Sequence, residues 1–223
     1  TFLGGVDNEQ PHSMVVDGDG NLVIAGRTYS NNFPVTGAAY DQTHNGACDI
    51  FIAKLNPTGT SLLASTYYGG SGDDGVNVSA VWGTISSVKY SYADDGRTEV
   101  IVDRQNNIYV AAPTQSGNLP TVNATQAALS GPQDALVIKF NSSLNNLLWS
   151  TYLGGSSYDA AYVLALDTSE QHIYVAGGTA SNNFPVIAGG LWQTYRGGMC
   201  DGYIVKFQNS GAYPKVRNTF IGT

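Results

Sequence analysis

Positive charge is scarce in this sequence. Ten Lys and Arg stand against seventeen Asp and Glu, a formal net charge of −7, and charged residues make up only 12%, about half the share usual in soluble domains. Nucleic acid is therefore not expected as a partner, because phosphate binding needs a basic footprint. An anionic membrane surface is disfavoured on the same ground. Long apolar runs are missing too. No stretch reaches the roughly 18 residues of a spanning helix, so membrane insertion is not expected. Cysteine occurs twice, too few for a disulfide scaffold and without metal-site spacing. The three histidines are scattered, and no Ser-His-Asp set can be assembled around them. No cofactor is expected.

What is abundant points to turns and strands. There are 27 Gly and 14 Tyr, and apolar residues reach 42%. One phrase recurs along the chain: TFLGG at 1–5, TYYGG at 66–70, TYLGG at 151–155 and TFIGT at 219–223. A phrase returning at long intervals marks a structural repeat. Between the phrases the same pieces follow in the same order. The first unit has VVDGDGNLVIAGRT, SNNFP and DIFIAKLN; the second has IVDRQNNIYVAAPT, GNLP and DALVIKFN; the third has ALDTSEQHIYVAGGT, SNNFP and DGYIVKFQ. The phrase spacings are 65, 85 and 68. The long one contains an insertion, bounded at 76–98 and expected to extend a loop outside the repeated core.

Each unit reads as four short strands joined by Gly/Asn/Asp turns. Apolar runs such as DALVIKF are unbroken, as in sheets covered on both faces. A four-stranded sheet repeated about every 65 residues describes a β-propeller blade. The expectation is an all-β chain of three four-stranded antiparallel blades, at 6–65, 71–150 and 156–218, forming one partial β-propeller over 1–223. Propellers have four to eight blades, and the repeat phrase stands at both ends of the chain. These two points lead to the expectation of a portion of a larger ring, either a processed product or a fragment. The paired glycines of the phrase are expected to make a sharp turn at positive φ.

These motifs resemble the SBBP β-propeller repeat of bacteria, over nearly the whole chain outside 76–98. The resemblance implies a propeller in secreted or surface-exposed proteins, often large and multidomain. Many of these come from gliding bacteria with a dedicated outer-membrane secretion route. It implies no catalytic residue set. The low charge and the richness in Gly, Asn, Ser, Thr and Tyr agree with a location outside the cytoplasm.

Candidate binding residues lie in the long loops after the second and fourth strands, since long loops on a rigid scaffold carry binding. They are Asn32 and Phe33 in the first unit, Asn183, Phe184, Trp192 and Tyr195 in the third, and Trp82, Tyr90 and Tyr92 in the insertion. Asp7, Asp73, Asp74 and Asp159 follow the paired glycines. They are read first as acceptors for turn N–H groups and alternatively as oxygen ligands for a hard cation. Asp49, Asp134 and Asp201 recur five residues before Lys54, Lys139 and Lys206; odd separation puts them on opposite strand faces, so they are not direct ion pairs. Cys48 and Cys200 share a repeat position two blades apart and are expected as free thiols. The function expected first is a non-catalytic exported module for protein interaction or surface display, its partner a protein or the remaining blades of a longer parent chain. A glycan-binding module is the alternative, and a polysaccharide-degrading enzyme comes third.

Overall fold

The computed structural model describes residues 1–77 and 96–222 and builds them into twelve strands with no helix among them. β1 (Glu9–Val16), β2 (Leu22–Thr28), β3 (Asp49–Leu55) and β4 (Leu62–Tyr68) form the first sheet. β5 (Glu99–Val102), β6 (Ile108–Thr114), β7 (Asp134–Phe140) and β8 (Leu147–Leu153) form the second. β9 (Asp159–Leu166), β10 (His172–Thr179), β11 (Asp201–Gln208) and β12 (Lys215–Ile221) form the third. Each sheet comes from one sequence unit, with its strands in chain order and every pairing antiparallel. The outer strands run three residues past the unit ends expected at 65, 150 and 218. The turn after each first strand needs one left-handed residue, supplied by Gly20 at φ 82°, Asn106 at φ 61° and Glu170 at φ 57°.

The sheets stack through their faces, and the first strands of consecutive sheets lie side by side, β1 by β5 and β5 by β9. Ile52 and Tyr68 of the first sheet meet Ile138 and Tyr152 of the second. Tyr109, Val137 and Trp149 of the second meet Val175, Phe207 and Phe220 of the third. The middle sheet is thus covered on both faces, and every residue of β6 and β7 is buried. Burial on both faces accounts for the unbroken apolar runs there.

Most of the insertion expected at 76–98 lies outside the described residues, and its flanks are part of the first-strand region of the second sheet. In the first sheet the extra residue His12 makes a bulge between Pro11 and Ser13. In the third, Tyr162 is the extra residue opposite Ala176 and Gly177. In the second, Asp74 still bridges Thr114 and Glu99 pairs with Ala111, so residues 77–98 stand where the other sheets carry one bulged residue. A bulge already breaks the ladder and bends the strand, so it is the least disruptive point for an excursion. Both ends of the segment are held inside. Asn77 accepts from Gln133 at 2.9 Å and donates to the Tyr162 hydroxyl at 3.2 Å, and buried Thr98 pairs with His12 at 3.2 Å.

Trp149 anchors the second junction, stacked on Tyr213 at 4.6 Å between ring centroids and edge-on to Phe207 at 5.2 Å. Trp149→Ala should cost about 3–5 kcal/mol, read as a lower urea midpoint with an unchanged slope. A change below about 1 kcal/mol would show that this junction is not a packed core.

Candidate functional site

The repeat phrase builds a clasp at each junction. In the second unit, Gly70 N–H donates to Asp74 Oδ2 at 2.8 Å and Ser116 Oγ donates to the same oxygen at 2.7 Å. Thr114 Oγ1 donates to Asp74 Oδ1. In the third unit Asp159 Oδ2 accepts from Gly155 N–H and Ser181 Oγ, both at 2.7 Å. Glu9 takes this position in the first unit and accepts from Thr28 Oγ1 at 2.9 Å. The linker is also latched onto the next loop. Asn32 Oδ1 accepts from Val6 N–H, Asn118 Oδ1 from Ser71 N–H and Asn183 Oδ1 from Ser156 N–H.

The paired glycines serve close approach, which corrects the expected positive φ: neither Gly69–Gly70 nor Gly154–Gly155 is left-handed. A Cβ on Gly69 would lie 2.3 Å from the Asp49 carboxylate, and one on Gly154 would lie 2.4 Å from that of Asp134. A Cβ on Gly70 or Gly155 would strike the Cβ of Ser116 or Ser181, at 2.7 and 2.6 Å. No real side chain fits at those distances.

Burial sets the charge state of these acids. It pushes Asp74 up to about 6 despite the hydrogen bonds from Thr114, Gly70 and Ser116. It likewise lifts Asp159 to about 6. Asp134 goes to about 7 through burial, with the nearby Asp159 charge adding to it. A different carboxylate behaves oppositely. Burial raises Asp17, but the Lys54 ammonium at 2.7 Å and hydrogen bonds from Asn21 and Asp19 outweigh it and hold the group at about 2. Lys139 repeats that pairing with Asp103 at 3.8 Å. Lys54 and Lys139 therefore pair with the turn aspartate of the neighbouring hairpin, a partner that spacing along one strand does not reveal. In the third unit His172 Nδ1 takes Asp167 instead, at 2.7 Å.

The expected site residues divide into several groups. Phe33 and Phe184 are buried, a correction to their placement on a binding surface: Phe33 stacks on Phe51 at 4.6 Å and Phe184 lies 4.5 Å from Tyr203. Asn32 and Asn183 are exposed, but their carbonyl oxygens hold the linkers. Trp192 is exposed on the third unit beside Arg196, while Tyr195 is half-buried against Phe220. Trp82, Tyr90 and Tyr92 lie outside the described residues. Asp74 and Asp159 are buried acceptors, Asp73 is half-buried and Asp7 is exposed. They do not converge, and among the described residues no three metal-binding side chains come together. Both cysteines are free, with burial pushing each thiol up to about 12.

Comparison with known proteins supplies likenesses of two kinds. Residues 148–185 match the SBBP family, described as a beta-propeller repeat. Among solved structures, a chain described as a "putative hydrolase" from Bacteroides ovatus is 9% identical with a TM-score of 0.33, the match covering 100% of this chain and 72% of that one. No curated protein matches this chain.

The raised carboxylates have a consequence for pH. Asp74, Asp134 and Asp159 bind protons more tightly folded than unfolded, where their ordinary value is 3.8. Their contribution is full below that value and is lost as pH rises toward about 7. Stability should therefore fall by a few kcal/mol, order of magnitude, between about pH 4 and 7. Asp134→Asn should flatten that fall in thermal melts taken across the range. An unchanged slope would remove Asp134 from the account.

Proposed function

For a chain of SBBP-type β-propeller repeats, we propose the role of a non-catalytic interaction scaffold, exported by a bacterium and displayed outside the cytoplasm. One observation carries it. The outward face of the first sheet carries apolar side chains that no other sheet covers among the described residues. Met14 is 62% exposed, whereas Val100 and Leu164, at the same repeat position, are 2% and 5% exposed beneath a neighbouring sheet. Val16 beside it is exposed as well. Leu3 already packs against the Phe33–Phe51 cluster of that face. Its place corresponds to that of Tyr68 against the second sheet. The neighbour that fits this face is a further sheet of the same repeat, in a longer parent chain or in a partner protein. Export rests on the low charge, on the Gly-, Asn- and Tyr-rich composition and on the SBBP resemblance.

An exposed apolar face of this kind usually belongs to an interface. The purified chain should therefore self-associate with rising concentration in sedimentation velocity. The double variant Met14→Glu with Val16→Glu should sediment as a monomer with its β-sheet circular dichroism intact. A wild-type chain that stays monomeric at every concentration, with no partner bound, would count against the docking face.

A further inference from the structure

The opposite end of the stack has a different surface. One row of residues crosses strands two, three and four of every sheet at the same register. In the first sheet it reads Val23, Lys54, Ala64, and in the second Tyr109, Lys139, Trp149. There the lysine is paired with Asp17 or Asp103, and the fourth-strand residue is buried. In the third sheet the row reads Tyr174, Lys206, Arg217. Arg217 stands where the other sheets carry a packing residue. Asp167 is held by His172 and makes no ion pair with Lys206, and among the described residues neither cation makes an ion pair.

Like charges directly opposite on neighbouring strands repel. Two unpaired cations paired across β11 and β12 are thus a standing cost in a chain of net charge −7. The row forms the floor of a groove of about 660 Å³ that also takes in Leu191 and Ile204 and has no acidic residue in its lining. That volume is in the range of small-molecule sites, roughly 300–1,000 Å³. The outer edge of β12 is covered near its end, with Phe220 N–H donating to Trp192 O at 3.0 Å and Trp192 N–H to Thr219 Oγ1 at 2.9 Å. An extended peptide would have to displace that segment to join beside Thr219 and Phe220 by strand addition.

We propose that this groove is a binding site for a carboxylate-bearing oligosaccharide of the uronic acid type. Lys206 and Arg217 receive the carboxylate, which removes their mutual repulsion, and Tyr174, Ile204 and Leu191 give the sugar ring an apolar floor. The row pattern also separates this face from the docking face of the first sheet, since a cation in the Trp149 position does not suit burial under another sheet.

Oligogalacturonate titrated into the intact chain by calorimetry should bind saturably. Arg217→Gln and Lys206→Gln should each weaken it by about tenfold or more. Arg217→Trp, which restores the residue of the second sheet, should abolish binding while leaving the circular dichroism unchanged. An uncharged galactose oligomer should not bind. The inference is overturned if oligogalacturonate shows no saturable binding, if the uncharged oligomer binds equally, if the three variants bind like the wild type, or if an oligoglutamate peptide competes with equal strength. Chromatography of the incubated sugar keeps the proposals apart: cleavage would sink the non-catalytic scaffold and leave the binding site standing.

Discussion

Much of this structure depends on a carboxylate with no cation beside it. Asp74 and Asp159 are fully buried where one sheet hands the chain to the next; Asp74 accepts from two hydroxyls and a linker N–H, and Asp159 Oδ2 from one hydroxyl and a linker N–H. A buried carboxylate costs several kcal/mol unless its oxygens find donors. The geometry of the linker, the loop serine and the strand threonine is therefore tightly coupled. The glycines follow from the same demand, since only a residue without a Cβ lets the chain pass so close to the loop and to the aspartate that opens β3 or β7. The recurring phrase is best understood as the imprint of this junction on the sequence.

The architecture was legible because it is repeated. Three copies of the same pieces reveal strands, turns and order, and the left-handed turn positions were marked by Gly20 and Asn106. Pairings between pieces were less visible. The Lys54–Asp17 ion pair joins residues 37 apart through a strand register that spacing does not encode. The Lys206–Arg217 row was hidden for a related reason. The turn before β12 is one residue longer than its counterparts, so counting from Lys139 and Trp149 would put Val216, not Arg217, opposite Lys206. Phe33 and Phe184 misled because an aromatic in a polar loop sequence looks like a contact residue, whereas the loops fold back over their own sheets.

The third unit departs from the other two in linked ways. Its first turn is one residue longer, His172 replaces the asparagine that caps the turn aspartate in the others, and that aspartate no longer serves the lysine. The His172 ring holds the Asp167 carboxyl down at about 2. One added residue in a hairpin thus propagates across two strands and changes the electrostatics of a whole face, while the sheet itself is preserved.

The order of the strands has a mechanical consequence. Every sheet is laid down in chain order, with its first strand against the neighbouring sheets and its fourth at the outside. Tension applied at the two ends would load β12 at the edge of the third sheet, where the strand can be drawn away one hydrogen bond at a time. At the other end, the pull would first strip the short Leu3 contact and the Asn32 latch, then bear on β1, which is seated beside β5. The middle sheet, covered on both faces, would be the last to yield. A tethered stack of this kind should lengthen in steps, one sheet per step, so that it takes up load gradually instead of failing at once.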